Sequence, residues 1–402
     1  MKIKNAISLD EALGLIKNIS YPISEEEISL YDCEERVLSR DVFARESLPP
    51  FDRATFDGYA IISKDTIGLD EGNAKRLKII EEIPAGSVPE KAVKTGECSI
   101  ILTGAPMPKG ADCVVPFEWV ERENDEIIIS EEIKSGSFIT PLGDSINEGQ
   151  LLASKGDKLS SEALSILASG GISKVFVYRK IKIGLISTGS EVLPIEAPFE
   201  IGKIRNSSQF YILSLERFGF EVKYYGICED ETETIKALVS KAFEENDVVI
   251  TTGGVSVGTY DLTEQVALEL GGEILAEKLA FRPGTAFLFS KINDKYLVGL
   301  SGNVGSTYTD LWLFCLPFLQ KLGGVKDYLP KKARLKMDGK FFNKGKSPRF
   351  EKFSIKIIDG EIFARAISKR EFVSEKECKF LGFIPPKTEL NSGELIDGYF
   401  VP

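Results

Sequence analysis

Between Ile181 and about residue 324 the chain runs in alternating blocks. Short, nearly continuous apolar stretches are followed by longer ones with apolar residues at helical spacing. IKIGLIS, EVKYYGIC, DVVITTGG and LVGL read as strands. NSSQFYILSLERFGF, TETIKALVSKAFEEN, DLTEQVALELGG and GSTYTDLWLFCLPFLQKLGG read as the helices between them, the first with Asn206 or Ser207 as its expected N-cap. Strands that are apolar on both faces belong to a parallel sheet, so an α/β domain is expected at about 180–324.

The rest of the chain has other rhythms. MKIKNAISLDEALGLIKN reads as an amphipathic helix, followed by short mixed elements to about residue 45. From 46 to 141 short strands punctuated by Gly and Pro (GYAIIS, LKIIEEI, ECSIILTGAPMPKG, DCVVPFEWVERE, DEIIISEEI) predict a β-rich module. LSSEALSILASGG is a helix stopped at Gly170 and Gly171, within a stretch, 142–179, expected to join residues 1–45 in one discontinuous mixed α/β domain. In FSIKIIDGEIFARAIS the pair Asp359–Gly360 predicts a two-residue hairpin, placing a small β domain at 325–402. The expected fold class is therefore multidomain α/β.

Composition narrows the chemistry. The 402 residues are 43% hydrophobic and 28% charged, the balance of a globular protein. A net charge of -11 disfavours nucleic acid as a partner and repels anions at long range, so an anionic substrate needs a local cationic or N–H pocket. No signal-like leader or membrane-length apolar run is present, and six cysteines without a CxxC pair read as reduced core thiols of a cytoplasmic protein. The absence of histidine removes Ser-His-Asp and Cys-His triads and HExxH zinc sites. What remains is carboxylates, backbone amides, Lys, Arg, hydroxyls and oxygen-ligated metal.

Three Gly-rich segments follow strands of the α/β block: STGSE (Ser187–Glu191), TTGGVSVGTYD (Thr251–Asp261) and GLSGNVGS (Gly299–Ser306). Glycines there let backbone approach a ligand and expose N–H groups, and the carboxyl ends of parallel strands are where such sheets bind ligands. Two loops of the β-rich module, PPFDRATFDGYA (Pro49–Ala60) and ILTGAPMPKGADCVVP (Ile101–Pro116), read singly as rigid connectors, with Asp57–Gly58 explained as a turn. Gly345–Ser347 is not an ATP-binding loop, because Lys340 stands where a Walker motif needs its first glycine.

Taken together, in this order and spacing, these motifs resemble the MoeA family of molybdopterin molybdenumtransferases, which includes the gephyrin E domain. The resemblance runs from near the N-terminus to about Gly324 and more weakly beyond. It implies four parts: a MogA-like parallel-sheet α/β domain, the β-rich module, the mixed α/β segment and a small C-terminal β-barrel. It also implies a homodimer whose active site lies between the α/β domain of one protomer and the β-rich module of the other. The implied reaction inserts molybdate or tungstate into adenylylated molybdopterin with Mg2+, releasing AMP and molybdenum cofactor. A MogA-like adenylyltransferase and apo-molybdoenzymes are the implied partners. Family positions match Asp57, Asp144, Glu191 and Asp247 as catalytic carboxylates, with Glu191 and Asp247 as metal ligands. Substrate contacts match Thr103, Ser190, Gly253, Gly254, Ser256, Asp261, Arg282, Gly302, Asn303, Ser306 and Arg349.

The family's KPGKP reads RPGTA here, with Thr285 and Ala286 replacing Lys and Pro, and its GLPGNPVS reads GLSGNVGS. The glycine-serine motif expected in the C-terminal domain has become REFVSEKEC. These departures fall where the family binds its oxyanion. One expectation is an active transferase with a pocket rebuilt around Arg282; the other is a paralogue that binds molybdopterin nucleotide or a protein partner as a scaffold.

Overall fold

The computed structural model describes residues 6–255, 261–367 and 372–402. At its centre is a seven-stranded sheet built from β1 (Ala6–Ile7), β2 (Lys182–Thr188), β3 (Glu221–Cys228), β4 (Val248–Thr252), β5 (Glu273–Leu279), β6 (Ala286–Ile292) and β7 (Lys295–Leu300), in the order β1-β5-β6-β7-β4-β2-β3. β3, β2, β4 and β7 are mutually parallel. Alternate residues of one strand enter different cores: Ile183 and Leu185 face α1 (Leu9–Lys17) and α5 (Leu316–Leu322), whereas Ile186 faces α2 (Thr232–Glu245) and α3 (Leu262–Glu269). Two apolar faces are the physical reason that β2, β4 and β7 read as nearly uninterrupted hydrophobic runs, whereas β3, at the sheet's edge, exposes Glu221 and Lys223.

The sheet differs from the sequence expectation in three ways. It is mixed, because β6 runs antiparallel to both β5 and β7. The β5 segment EILAEKL carries charges and has no clean period, so no strand is legible there. Residues 6–17 do not join the mixed segment: β1 pairs with β5 (Ala6 opposite Lys278), and Leu9, Ala12 and Ile16 are buried against the α/β core. The helix after β2 spans only Gln209–Leu213 and begins after Ser208, not at Asn206 or Ser207. Asn206 is instead buried, its amide donating to Ser187 Oγ at 2.9 Å and the Tyr224 hydroxyl at 2.8 Å.

The β-rich module is a six-stranded sheet with its own apolar interior, including Tyr59, Leu77, Cys98 and Val115. Strands from both sides of that module pair with one another, Glu25–Ser29 with Lys174–Tyr178 and Val42–Phe43 with Leu151–Ala153, around Leu38, Leu159 and Leu167. At the C-terminal end five strands close a barrel. Its Asp359–Gly360 turn has φ 51° and 82°, the left-handed pair of a two-residue hairpin. The barrel shares a core with the α/β domain: Phe350 meets Phe281 edge to face at 5.0 Å.

Candidate active site

Adjacent parallel strands bring their carboxyl ends to one edge, and the three Gly-rich turns meet there. Gly253 has φ 95°, and a Cβ on it would lie 2.3 Å from the Thr188 carbonyl oxygen, so only glycine fits. Its N–H donates to Leu300 O at 2.9 Å, tying the turn after β4 to the turn after β7. A Cβ on Gly302 would sit 3.6 Å from Gly253 Cα. Beneath Gly254 lie the hydroxyls of Thr188 and Thr263, buried and without a hydrogen-bond partner among the described residues. The result is a backbone cradle in which, at Gly253, Gly254 and Gly302, no Cβ stands on the turns.

Carboxylates surround this edge, but not all of those expected. Glu191 is exposed after β2. Asp261 caps α3, accepting from Glu264 N–H at 3.0 Å. Burial, with Glu277 and Asp261 nearby, raises the Glu264 carboxyl above its ordinary range. Asp247 is elsewhere. It precedes β4, whereas Gly253 follows it, so at about 3.3 Å per residue the two are roughly 20 Å apart. Asp247 is 7% exposed and fully engaged, accepting from Arg179 at 2.7 and 2.8 Å, the Tyr21 hydroxyl at 2.6 Å and Lys182 N–H at 2.9 Å. Burial pushes its carboxyl up; these partners outweigh that and hold it below the usual carboxylate range. It joins the sheet's far edge to Arg179 and is not a metal ligand.

The carboxylate in its place is Asp230, two residues past the end of β3, whose Oδ2 accepts from Ser190 N–H at 3.3 Å. The signal was legible: an acidic run, Glu229–Glu231, directly after an apolar strand, on the edge where the other motifs converge. Among the described residues no three carboxylates or cysteines gather closely enough to form a ready metal cage. Asp230 and Glu191 still supply hard oxygen donors at neighbouring strand ends. That donor set fits Mg2+, which is commonly held by one or two carboxylates plus substrate phosphates.

A second group forms where the barrel abuts this edge. Arg282 N–H donates to Pro348 O at 3.0 Å and Phe350 N–H to Arg282 O at 2.8 Å, which sets Arg282 opposite Arg349. Both arginines, with Asn303 and Ser306, line a cavity of about 430 Å³. Asn303 caps α4 (Val304–Asp310), its side-chain oxygen accepting from Gly305 and Ser306 N–H at 3.0 and 3.2 Å. Thr285, at the family's lysine position, is buried and donates to Phe281 O at 2.5 Å, so it turns inward. Ser256 lies outside the described residues.

Asp57 and Thr103 form a third group in the β-rich module, where Thr103 N–H and Oγ1 both donate to Asp57 Oδ1 at 2.7 Å. These bonds hold the exposed Asp57 carboxyl below its ordinary range. Gly58 is not a turn glycine. It opens a strand, and a Cβ there would meet Val115 O at 2.1 Å. Asp144 is exposed on a turn anchored to the same loop, with Gly143 N–H donating to Pro49 O at 2.9 Å.

Comparison with known proteins agrees with this layout. Residues 7–171 match the MoeA N-terminal region (domains I and II), and residues 184–321 match a probable molybdopterin binding domain. Over 344 residues the chain is 37% identical to a molybdopterin molybdenumtransferase of Staphylococcus epidermidis, covering 85% of this chain and 81% of that one. A molybdopterin molybdenumtransferase of Staphylococcus aureus is 35% identical over 83% of this chain and 81% of its own length. The crystal structure of a molybdopterin biosynthesis MoeA protein of Pyrococcus horikoshii superposes with a TM-score of 0.82 at 31% identity, covering 98% of this chain and 99% of that one.

Proposed function

Because the chain belongs to the MoeA family, we propose that it inserts molybdate or tungstate into adenylylated molybdopterin and releases AMP. The observation that carries this reading is the convergence of the Gly253–Gly254, Ser190 and Gly302 turns beside the Arg282–Arg349 cavity. The N–H groups of the turns would receive the phosphates of the pterin nucleotide. The two guanidiniums would hold the tetrahedral oxyanion through forked, bidentate contacts. Asp230 and Glu191 would hold Mg2+, whose charge neutralises the leaving phosphate.

The chemistry then has two parts. Water opens the phosphoanhydride, giving AMP and the pterin phosphate, and the two dithiolene thiols bond to the metal of the oxyanion, their two protons leaving with one oxo ligand as water. The chain's own residues bind, orient and exclude solvent; no histidine is required. Asp57 and Asp144 would complete the site from the β-rich module of a second copy, in a cytoplasmic homodimer. A MogA-like adenylyltransferase would supply the substrate, and apo-molybdoenzymes would take the product.

A catalytically impaired scaffold is the competing reading, motivated by Thr285 and Ala286. Against it stands the placement of Arg282 opposite Arg349 over one cavity, which keeps two cations at the site despite the loss at Thr285. The test is incubation of the protein with adenylylated molybdopterin, Mg2+ and molybdate or tungstate while AMP is followed. Oxyanion-dependent AMP release is expected. Binding of the nucleotide without such release would leave the scaffold reading in possession.

A further inference from the structure

Beside the Arg282–Arg349 cavity lies a larger one, of about 820 Å³, whose wall is the barrel segment Lys340–Ser347. The two share Arg282, Arg349, Glu351 and Ile367, so they adjoin along these side chains. The larger is lined by Arg282, Lys340, Lys344, Lys346 and Arg349 against a single carboxylate among its described lining residues, Glu351. That carboxylate is already engaged by Arg349, with Nε–Oε2 at 2.5 Å. In a chain of net charge -11 this is a local reversal of sign.

The lysines stand on a fixed rim. Asn343, 4% exposed, donates through Nδ2 to Ser347 O at 3.1 Å, Ile384 O at 3.1 Å and Pro385 O at 2.9 Å, and accepts from Gly345 N–H at 3.0 Å. One buried amide with four hydrogen bonds pins the turn to the barrel, while Lys344 and Lys346 remain exposed. The segment that is not a nucleotide loop therefore presents cations at the mouth of the inner cavity.

We propose that Lys340, Lys344 and Lys346 form a capture vestibule for a doubly charged tetrahedral oxyanion, which passes from it to Arg282 and Arg349. The proposal rests on the reading of this chain as an oxyanion-inserting transferase. The physical need is direct: the net field of the molecule repels such an anion, and a concave cationic wall concentrates it locally and raises its rate of arrival. Flexible, strongly hydrated lysines suit transient capture, and the planar arginines behind them suit fixed binding.

The test uses the full chain and its K344E/K346E variant. Equilibrium dialysis against molybdate alone, at about 20 mM salt, should show at least about fivefold weaker binding in the variant, shrinking towards parity at about 0.5 M salt as the field is screened. In turnover, half-saturating molybdate should rise by a similar factor while AMP release at saturating molybdate stays at the parent rate. The milder K344Q/K346Q pair should fall between. Equal binding at low salt, or a fall in the saturating rate with half-saturation unchanged, would overturn the vestibule. Failure of the parent to release AMP at all would count against the transferase reading alone, because the dialysis still reports on the charged wall.

Discussion

The fate of Asp247 shows how far a residue's chemistry depends on which end of a strand it occupies. An aspartate before an apolar strand looks in sequence much like one after it, yet only the second lies on the ligand edge of a parallel sheet. With Arg179, Tyr21 and Lys182 as partners, Asp247 belongs to stability. Asp247→Ala strands a partly exposed guanidinium and should cost roughly 1–3 kcal/mol in urea unfolding, less than the loss of a fully buried pair. Its carboxyl is held low in the folded protein, so its contribution is complete above the ordinary carboxylate range and is lost as pH falls through the lowered value. Parent and variant should therefore converge in acid. Asp230→Ala should do the reverse, leaving the unfolding midpoint within about 0.5 kcal/mol of parent while abolishing AMP release. Full activity of Asp230→Ala would remove it from the site.

Asp310 is a second residue whose behaviour follows from burial. It is wholly enclosed beneath Gly284, with neither carboxyl oxygen hydrogen-bonded among the described residues, and burial pushes its carboxyl well above the usual range. Below the unfolded value both states hold the proton and there is no penalty. As pH rises past that value the unfolded chain ionises while the folded one does not, and stability drains at up to about 1.4 kcal/mol per pH unit. Asp310→Asn removes this titration. Relative to parent, its stability should improve steadily from pH 4 to pH 7; parallel pH profiles would contradict the burial account.

Among the elements at the ligand edge, the turn after β4 is tightly constrained at Gly253. Gly253→Ala places a methyl against Thr188 O in a left-handed backbone, so the turn must move away from β2 and the hydrogen bond to Leu300 must lengthen. We expect a loss of about 1–3 kcal/mol in stability together with loss of pterin-nucleotide binding, read by calorimetry. Unchanged nucleotide affinity would show that the turns are not the cradle. β2, β4 and β7 were legible because both their faces are covered, β3 through its more apolar second half although Glu221 and Lys223 are exposed at the sheet's edge, and the three loops because glycine marks close backbone approach. The β5–β6 hairpin was not legible: Glu273, Glu277 and Lys278 sit on a strand near the sheet's edge, where charges are tolerated and the period is blurred. Asn206 was read as a cap because its type suits one; its long-range partners Ser187 and Tyr224 are invisible in a local window. For the site, the glycine loops and Arg282 with Arg349 could be read from motifs, and chain order alone favours Asp230, which follows its apolar strand, over Asp247, which precedes one.

At the scale of the whole molecule, the β-rich module and the α/β domain have separate hydrophobic cores, and the Asp57–Thr103 pair sits exposed on the former. If Asp57 and Thr103 belong to the site, an isolated chain would present two half-sites, each held by its own hydrogen bonds. In a symmetric dimer whose sites combine the α/β domain of one copy with the β-rich module of the other, each protomer gives one half to each site. Two inactive variants, Asp57→Ala and Asp230→Ala, should then rescue one another. Random reassociation makes half the dimers mixed, and each mixed dimer has one site with both lesions and one with neither. AMP release should thus recover to about one quarter of the parent rate after unfolding and refolding the variants together. Refolding them separately and mixing afterwards should give no recovery until subunits exchange. If each chain carried a complete site of its own, every site in every dimer would contain a lesion, and no mixing protocol would restore turnover.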